Sequence, residues 1–515
     1  MKKIFLITCI IIMPYMLGAQ SAFDALRYSQ NFYTGTARSA ALGNAVSALG
    51  GDFGSLSINP AGSAVYPYSE FVFTPSLHNS LTKSDYLSNA SEEGFARAGV
   101  TNIGYVSSIK LPNYTGLVGI SFGIGYNGLN KFNERLSVSG TTDQSSWLAS
   151  LAYNTNGVHA TGLDWNDQQN PFHYSSASWK SILAWNTSLL DTIPGTHGSE
   201  YLGVTEAVWG NDIGIPGPLR QNFTRKNVGN TGEYVINFGL NFSHRFFVGA
   251  NIGVQNIYYE SWEEFSESVV NIHDFMQTQF SDFTHTYHQK SVGTGVNFKV
   301  GFIFLPVQNL RLGASISTPT WMRINEEWEE GITANFSDGY HQHLTSPLGK
   351  FEYNVEAPFR WNAGFAYTFG ALGALSFDYE QVAFNKIFMS GTTTSSNPFN
   401  NDNSYIKKEF QNTHNIRTGL EVNLNDEFSL RGGYAFYGNP EKNIGDHTQI
   451  ASLGIGLRWD SLFTDLTFMQ RFTAKKENFA LYDDVYDGGY VVYPAPVGSQ
   501  TTSRWSLLLS IGLRF

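Results

Sequence analysis

The chain has 515 residues, and 43 acidic residues against 32 lysines and arginines give a net charge of −11. That balance excludes a nucleic-acid binder, which needs a basic surface. Charged residues make up 15%, aromatic residues 15%, and there are 51 glycines and one cysteine. The charged share is well below the ~25% of ordinary soluble domains, and a single cysteine excludes an internal disulfide framework.

Residues 1–19 read as a secretory signal peptide. Lys2 and Lys3 supply the positive start, Ile4 to Leu17 the apolar core, and Leu17-Gly18-Ala19 a small-residue cleavage site. Cys9 lies in that core without a lipid-attachment context, so a mature chain starting at Gln20 or Ser21 carries no thiol. Beyond it, no run of roughly 18 apolar residues appears, so no transmembrane helix is expected.

Residues 20–68 are expected to form an N-terminal plug. From Gly35 to Tyr66 the chain is rich in glycine, alanine and serine, and it includes Ser57-Ile58-Asn59-Pro60-Ala61-Gly62. Such a run makes poor strand and middling helix. Its small side chains suit a backbone packed tightly inside something else.

From Glu70 onward, segments of about ten residues alternate bulky apolar with small or polar side chains, the pattern of transmembrane β-strands. Val292, Val296, Phe298, Val300, Phe302 and Phe304 alternate with Gly293, Gly295, Asn297, Lys299 and Gly301. The last segment sets Trp505, Leu507, Leu509, Ile511, Leu513 and Phe515 against Arg504, Ser506, Ser510, Gly512 and Arg514. A soluble β-sandwich also alternates. However, mid-strand charges such as Lys299, Arg311, Arg417, Glu421, Arg431 and Arg458 suit a wet lumen better than a dry core. The fold class is therefore all-β, an antiparallel transmembrane barrel spanning residues 69–515.

Tight turns at Pro112-Asn113-Tyr114, Ser243-His244-Arg245, Pro306-Val307-Gln308, Ala371-Leu372, Asn425-Asp426 and Asp460-Ser461 are expected on the periplasmic side. Long polar loops at 127–232, 257–288, 320–352, 387–410, 438–448 and 474–502 are expected outside. Phe132–Val138 looks like one more strand, but an odd span would break the up-down alternation. It is placed in the extracellular loop as a hairpin above the membrane, which leaves about 14 strands. A barrel of that width holds a channel or needs a plug.

At this point the residues resemble a known family. Ser39-Ala40-Ala41-Leu42-Gly43-Asn44-Ala45, Gly50-Gly51-Asp52-Phe53 and Asn59-Pro60-Ala61-Gly62 are similar to the N-terminal hatch of the FadL/TodX-type outer-membrane transporters, in their Bacteroidetes branch. The resemblance implies passive uptake of hydrophobic small molecules such as long-chain fatty acids or aromatic hydrocarbons. In that reading they pass a greasy lumen pocket gated by the hatch and leave sideways through the wall. Gly43, Gly50, Asp52, Phe53, Asn59, Pro60, Ala61 and Gly62 become the plug and gating residues, with Asn59 anchoring the plug by hydrogen bonds. Phe515 resembles the aromatic C-terminal signal read by the barrel-assembly machinery. The implied partners are a hydrophobic ligand and the lipids and lipopolysaccharide of the bacterial outer membrane, with no cofactor and no metal. The unusually long 127–232 loop departs from the family.

Other chemistry is weaker. Trp147, Trp165, Trp179, Trp185 and Trp209 with nearby leucines could form a capture surface, but a small subdomain packing its own core is the simpler reading. Ser175–Leu190 reads as an amphipathic helix. His285 and His288 have ligand-like spacing in an acidic loop that is more simply solvated. Glu326, Glu327, Glu329 and Glu330 could bridge cations to lipopolysaccharide. Asp483, Asp484 and Asp487 lack the register of a calcium loop. His414 and Ser452 match a hydrolase only in residue type, so no enzyme is expected. The alternative function is a non-transporting barrel that binds a partner or assists protein export.

Overall fold

The structure is a computed structural model that describes residues 21–515 except 211, 393–396, 474–476 and 488–489. The signal peptide expected at 1–19 lies outside the described residues.

Fourteen strands form one closed antiparallel meander. They are β1 (Glu70–Tyr86), β2 (Asn89–Lys110), β3 (Leu117–Lys131), β4 (Leu219–Phe242), β5 (Phe246–Val269), β6 (Phe280–Val307) and β7 (Leu310–Ser317). They continue as β8 (Arg360–Thr368), β9 (Gly373–Ala383), β10 (Asn412–Asn423), β11 (Phe428–Tyr437), β12 (Thr448–Trp459), β13 (Leu462–Thr473) and β14 (Val497–Arg514). Each strand pairs with the next, and β14 returns to β1 from Glu70↔Arg514 to Asp85↔Ser499. At the seam, the backbone groups of Ser69 and Phe515 bond each other reciprocally at 3.1 Å. Closure leaves no sheet edge at the seam.

Period-two sorting explains why these segments are strands. On β6, Val292, Val296, Phe298, Val300, Phe302 and Phe304 are exposed on the outside, while Asn297 and Lys299 are buried on the lumen side. An exposed belt of this kind recurs on every strand from β3 to β14. Such a belt needs hydrocarbon around it, and hydrocarbon in turn demands that backbone groups be paired within the protein. The wall therefore crosses a membrane with its strands.

The six tight turns lie at one end. At the other end the strands run far past the membrane. β4, β5 and β6 have 24, 24 and 28 residues, where about ten suffice to span. The expected loops at 127–232 and 257–288 are shortened accordingly, to 143–218 and 270–279. Phe132–Val138 does not form a separate hairpin. Glu134–Thr142 continues β3 upward and pairs with Leu219–Asn227 of β4. It runs in line with β3, so the parity that excluded a fifteenth span still holds.

Residues 143–218 fold as a cap inside the raised wall. Its helices are Trp147–Thr155 and Trp179–Asn186, the latter a shorter piece of the helix expected at 175–190. Leu148, Ile182, Leu183 and Leu189 pack with Phe265, Phe280 and Phe283 of the wall. Trp147 is buried here, Trp165, Trp179 and Trp185 pack at its margin, and Trp209 is exposed. Glu267 anchors the cap by accepting from Trp147 N at 3.2 Å and Gln221 Nε2 at 2.7 Å.

Glu206 of the cap is buried, and Gly203 N donates to it at 2.8 Å. Burial pushes its carboxyl up to about 7. The folded value lies above the unfolded one of ~4.3, so the native state holds the extra proton. Cap stability is then greatest below that value and falls as pH rises through about 7. Limited proteolysis within 143–218 is expected to be faster at pH 8 than at pH 5, and Glu206→Gln to narrow that difference. A difference unchanged in the variant would refute the assignment.

Candidate functional site

Residues 21–66 fill the bore and touch nearly every wall strand. An α-helix, Ala22–Ser29, comes first. A one-turn helix follows at Ala37–Ala41, and then 3-10 turns at Phe53–Ser57 and Pro60–Val65. Each short piece starts at a side-chain cap. Ser39 N donates to Thr36, Gly54 N donates to Asp52 at 2.8 Å, and Ala61 N donates to Asn59 at 3.1 Å. Asp52 also accepts from the Thr36 hydroxyl at 2.7 Å. Pro60 takes the first position of its turn, where its fixed φ fits and no N–H is missed.

Pieces this short leave most of their carbonyls without internal partners, and the wall supplies them. Asn59 Nδ2 donates to Ser47 O at 2.7 Å and across to Phe302 O of β6 at 3.0 Å. Asn237 Nδ2 donates to Pro60 O at 2.9 Å, Ser315 Oγ to Ile58 O at 2.7 Å, and Arg311 to Leu49 O at 2.7 Å. Thr467 Oγ1 donates to Ala37 O at 2.7 Å, and Ala37 N donates to Ser510 Oγ at 2.8 Å.

Several lumen charges are paired in the same way. Arg38 of the plug meets Glu421 at 2.9 Å, and Arg431 joins Glu421 to Asp465 at 2.5 Å on each side. Ser47 N donates to Asp378 at 2.9 Å, and Tyr33 OH donates to Glu380 at 3.2 Å. Lys299 is held by Glu233 at 2.6 Å.

The alternation pattern places many glycines on the lumen face. They are the plug's seat. A Cβ on Gly249 would fall 2.3 Å from Pro60 O, on Gly301 2.1 Å from Asn59 Oδ1, and on Gly313 2.3 Å from Ser47 O. On Gly433 it would fall 2.1 Å from Gly43 N. Gly43 itself has φ +61° and lies with its backbone on Tyr434. Gly50 and Gly62 lie against one another, with Gly51 N donating to Gly62 O at 3.0 Å. The Phe53 ring covers Gly104 and Gly125 and packs with Leu56, Tyr66 and Val106. Ala61 is fully buried against Gly249.

Beside the plug the wall parts. β2 and β3 pair only from Lys110↔Gly119 up to Asn102↔Asn127. Above that, β2 keeps β1 as far as Asn89 but loses β3. Asn127, Gly128, Leu129 and Asn130 are buried one after another, so β3 has turned into the bore. There the plug takes the place of β2. Phe32 N donates to Leu129 O at 2.8 Å and Thr34 N to Gly128 O at 3.1 Å. In the bore beside this cleft lies a cavity of about 60 Å³, lined from the plug, β1, β3, β12, β13 and β14 by residues that include Phe32, His78, Lys131, Ile450 and Arg471.

A second break lies across the barrel. β7, β8 and β9 are each interrupted at one height, at residues 318–320, 357–359 and 384–387, where Pro319 and Pro358 cannot donate to a ladder. Just above, Met322, Ile324, Tyr353 and Val355 turn an apolar surface inward, and Ala22, Ala25 and Leu26 of the first helix cover it.

The other candidate groups do not assemble. His285 faces inward to Glu330 at 3.1 Å, while His288 faces outward to Glu260 at 2.8 Å. Glu326 and Glu330 point inward, and Glu327 points outward to Lys350 at 2.8 Å. Among the described residues no three His, Cys, Asp or Glu side chains are placed to hold a metal. His414 lies on the outer face, while Ser452 is buried in the lumen and donates to Ala41 O at 3.3 Å. Phe515 is exposed, with its ring stacked 6.1 Å from Tyr105.

No protein-family model and no curated protein matches the chain. Solved structures match over almost its whole length. The structure of a Pseudomonas aeruginosa FadL homologue has 12% identity and a TM-score of 0.52, covering 94% of this chain and 100% of its own. The P. putida toluene transporter TodX has 14% identity and a TM-score of 0.49, with coverage of 93% and 98%. The Ralstonia pickettii toluene transporter TbuX has 11% identity and a TM-score of 0.42, with coverage of 90% and 93%. The likeness to the FadL homologue is one of fold, and it agrees with the closed ladder and the apolar belt: the chain is an outer-membrane β-barrel with the FadL-type fold.

Proposed function

We propose that the protein passes hydrophobic small molecules through the outer membrane without an energy source, and that the plug gates their sideways exit. The cleft above Asn102 carries this reading. A membrane barrel gains nothing from an unpaired stretch of wall unless something passes there. The plug lies directly against the parted strand through Phe32 and Thr34. A small movement of residues 30–34 would widen the cleft, and Asn59 would hold the rest of the plug to β6. An apolar solute leaving sideways enters lipid without crossing water. Phe515 would serve as the assembly signal, and the polar outer face of the raised strands would sit among the sugars of lipopolysaccharide.

A filled, polar bore also favours a second reading, a barrel that docks a partner and transports nothing. Uptake separates the two. Cells making the protein are expected to take up labelled toluene or oleate faster than cells lacking it. Replacing Asn59-Pro60-Ala61 with bulky residues should change that rate while the barrel still assembles, as read by heat-modifiable migration in gels. Uptake equal to that of cells lacking the protein would favour docking. Uptake unchanged in a correctly assembled variant would remove the gating role.

A further inference from the structure

The raised wall carries a groove of about 610 Å³ on its outer face, apart from the bore. Its floor is a single cross-strand row. Ser137 pairs with Thr224 of β4, Thr224 with Glu264 of β5, and Glu264 with Thr286 of β6. Thr286 pairs with Gly331, and Gly331 with Thr345. Apart from Glu264 these side chains are short, so the row forms a trough. One row nearer the membrane, Arg135, Lys226, Trp262, His288 and Glu329 pair in the same order and make the lower wall. β2 lies over Glu134–Thr142 here, with Asn89 Nδ2 donating to Ser139 O at 3.1 Å, and adds Glu93 to the lining.

The groove falls within the ~300–1,000 Å³ of ligand clefts, and its groups suit a polar, acidic ligand. Lys226 Nζ lies 5.0 Å from the centre of the Trp262 ring and 5.8 Å from that of Phe95, and the Arg135 guanidinium lies 5.5 Å from Phe95. An aromatic face holds a cation without cancelling its charge, so both stay open to a ligand. The Trp262 ring is fixed in turn by His288, stacked 5.3 Å away, whose Nε2 meets Glu260 at 2.8 Å. On the floor, Glu264 accepts from hydroxyls, and Thr224 and Thr286 both give and accept. Cations on the lower wall and hydroxyls on the floor match a sugar with acid groups along one edge. Two other occupants fit worse. β4, β5 and β6 under the groove each have neighbours on both sides, so no edge is open to an added peptide strand. Among the described residues no three His, Cys, Asp or Glu side chains converge there on a metal.

The height of the groove selects the source of that sugar. On β6 the outward apolar run ends at Val292, and His288 stands four residues higher, ~14 Å along the strand. That is the layer directly above the hydrocarbon. In an outer membrane the inner sugars of lipopolysaccharide fill it, and these bear phosphate and carboxylate groups. We propose that the groove binds one lipopolysaccharide molecule by its acidic inner sugars, with Arg135 and Lys226 on the acid groups and Glu264, Thr224 and Thr286 on the hydroxyls. The inference rests on the placement of the raised strands among those sugars, and not on transport.

The test uses the full mature protein in phosphatidylcholine nanodiscs, titrated in a calorimeter with fully deacylated lipopolysaccharide, so that no lipid tail contributes. The native protein is expected to bind this oligosaccharide, and to lose at least tenfold in affinity when phosphatase and carboxyl reduction have made it neutral. Arg135→Gln and Lys226→Gln should each weaken binding about tenfold, the scale of one charged hydrogen bond. Thr286→Trp, which fills the floor, should abolish it. Lys350→Gln, on the same outer face but paired with Glu327 at 2.8 Å, is the control and should bind as the native protein does. Should a variant fail to assemble, the neutralised sugar decides the question on the native protein alone. No binding, native affinity in both Gln variants, or equal affinity for the neutralised sugar overturns the inference. Binding that disappears when calcium is removed assigns the contact to a bridging cation and overturns it too. None of these outcomes touches the transport reading, which uptake of toluene or oleate decides.

Discussion

Oxidised Thr34→Cys/Gly128→Cys protein is expected to lose its uptake of hydrophobic compounds, down to the level of cells without the protein, and to recover it in dithiothreitol. A Cβ at position 128 would lie 2.6 Å from Thr34 Oγ1. That is close to the spacing of a sulfur from the far Cβ across a disulfide. The bond would tie the plug to β3 where the strand has turned inward, so the cleft could no longer widen. A second tether gives the scale of the movement. Ser63 Oγ and Ser121 Oγ are 2.9 Å apart, deep in the bore. If only residues 30–34 move, the Ser63→Cys/Ser121→Cys tether leaves uptake intact. If the plug moves as a body, both tethers block it. Undiminished uptake with the first tether fully formed would end the gating account. Cys9 is the only native cysteine, and removal of the signal peptide would leave the engineered pair alone.

The second large effect is expected from Gly433→Val. Its Cβ would meet Gly43 N at 2.1 Å, and the obstacle is backbone, which no side-chain rotation relieves. Overpacking of this kind costs about 1–3 kcal/mol, which shifts the seated plug toward a displaced one by roughly 5- to 150-fold. The outer face of β11 is untouched, so the barrel should still close. Ion conductance in planar bilayers and sensitivity to a large antibiotic such as vancomycin should both rise. A variant with native conductance would show that the plug tolerates crowding there. Glycine-to-valine at Gly432, whose Cβ would meet only Leu453 at 3.7 Å, is the matched control.

The membrane part of the wall was legible because lipid and lumen sort side chains with a strict period of two. Val292 to Phe304 could be read by eye, and the tight turns then fixed direction and parity. The small-residue segment was legible by its lack of bulk and by its resemblance to a hatch, whereas the helix caps at Asp52 and Asn59 were not read. Legibility failed where a strand leaves that two-sided environment. Above the membrane both faces of β4, β5 and β6 meet polar surroundings or the cap, so the extensions read as loops. Asn127-Gly128-Leu129-Asn130 reads as the end of a strand, because its partners at Phe32 and Thr34 are distant in sequence and themselves irregular. The pairing of lumen charges was equally hidden, though one signal was present. Arg38 and Asp52 are the only charged residues between Gly35 and Tyr66. Each was a mark of a specific partner in a segment otherwise chosen for smallness.

The reciprocal bonds between Ser69 and Phe515 have a consequence for the order of folding. The plug immediately precedes β1, yet it is bonded to Thr467 and Ser510, residues made some 430 and 473 positions after Ala37. If the N-terminal residues are in place while the last two strands are still being laid down, they act as the form around which the hoop is drawn shut. Contacts this far apart in sequence fold slowly, so the final zippering of β14 onto β1 should set the pace of the whole process.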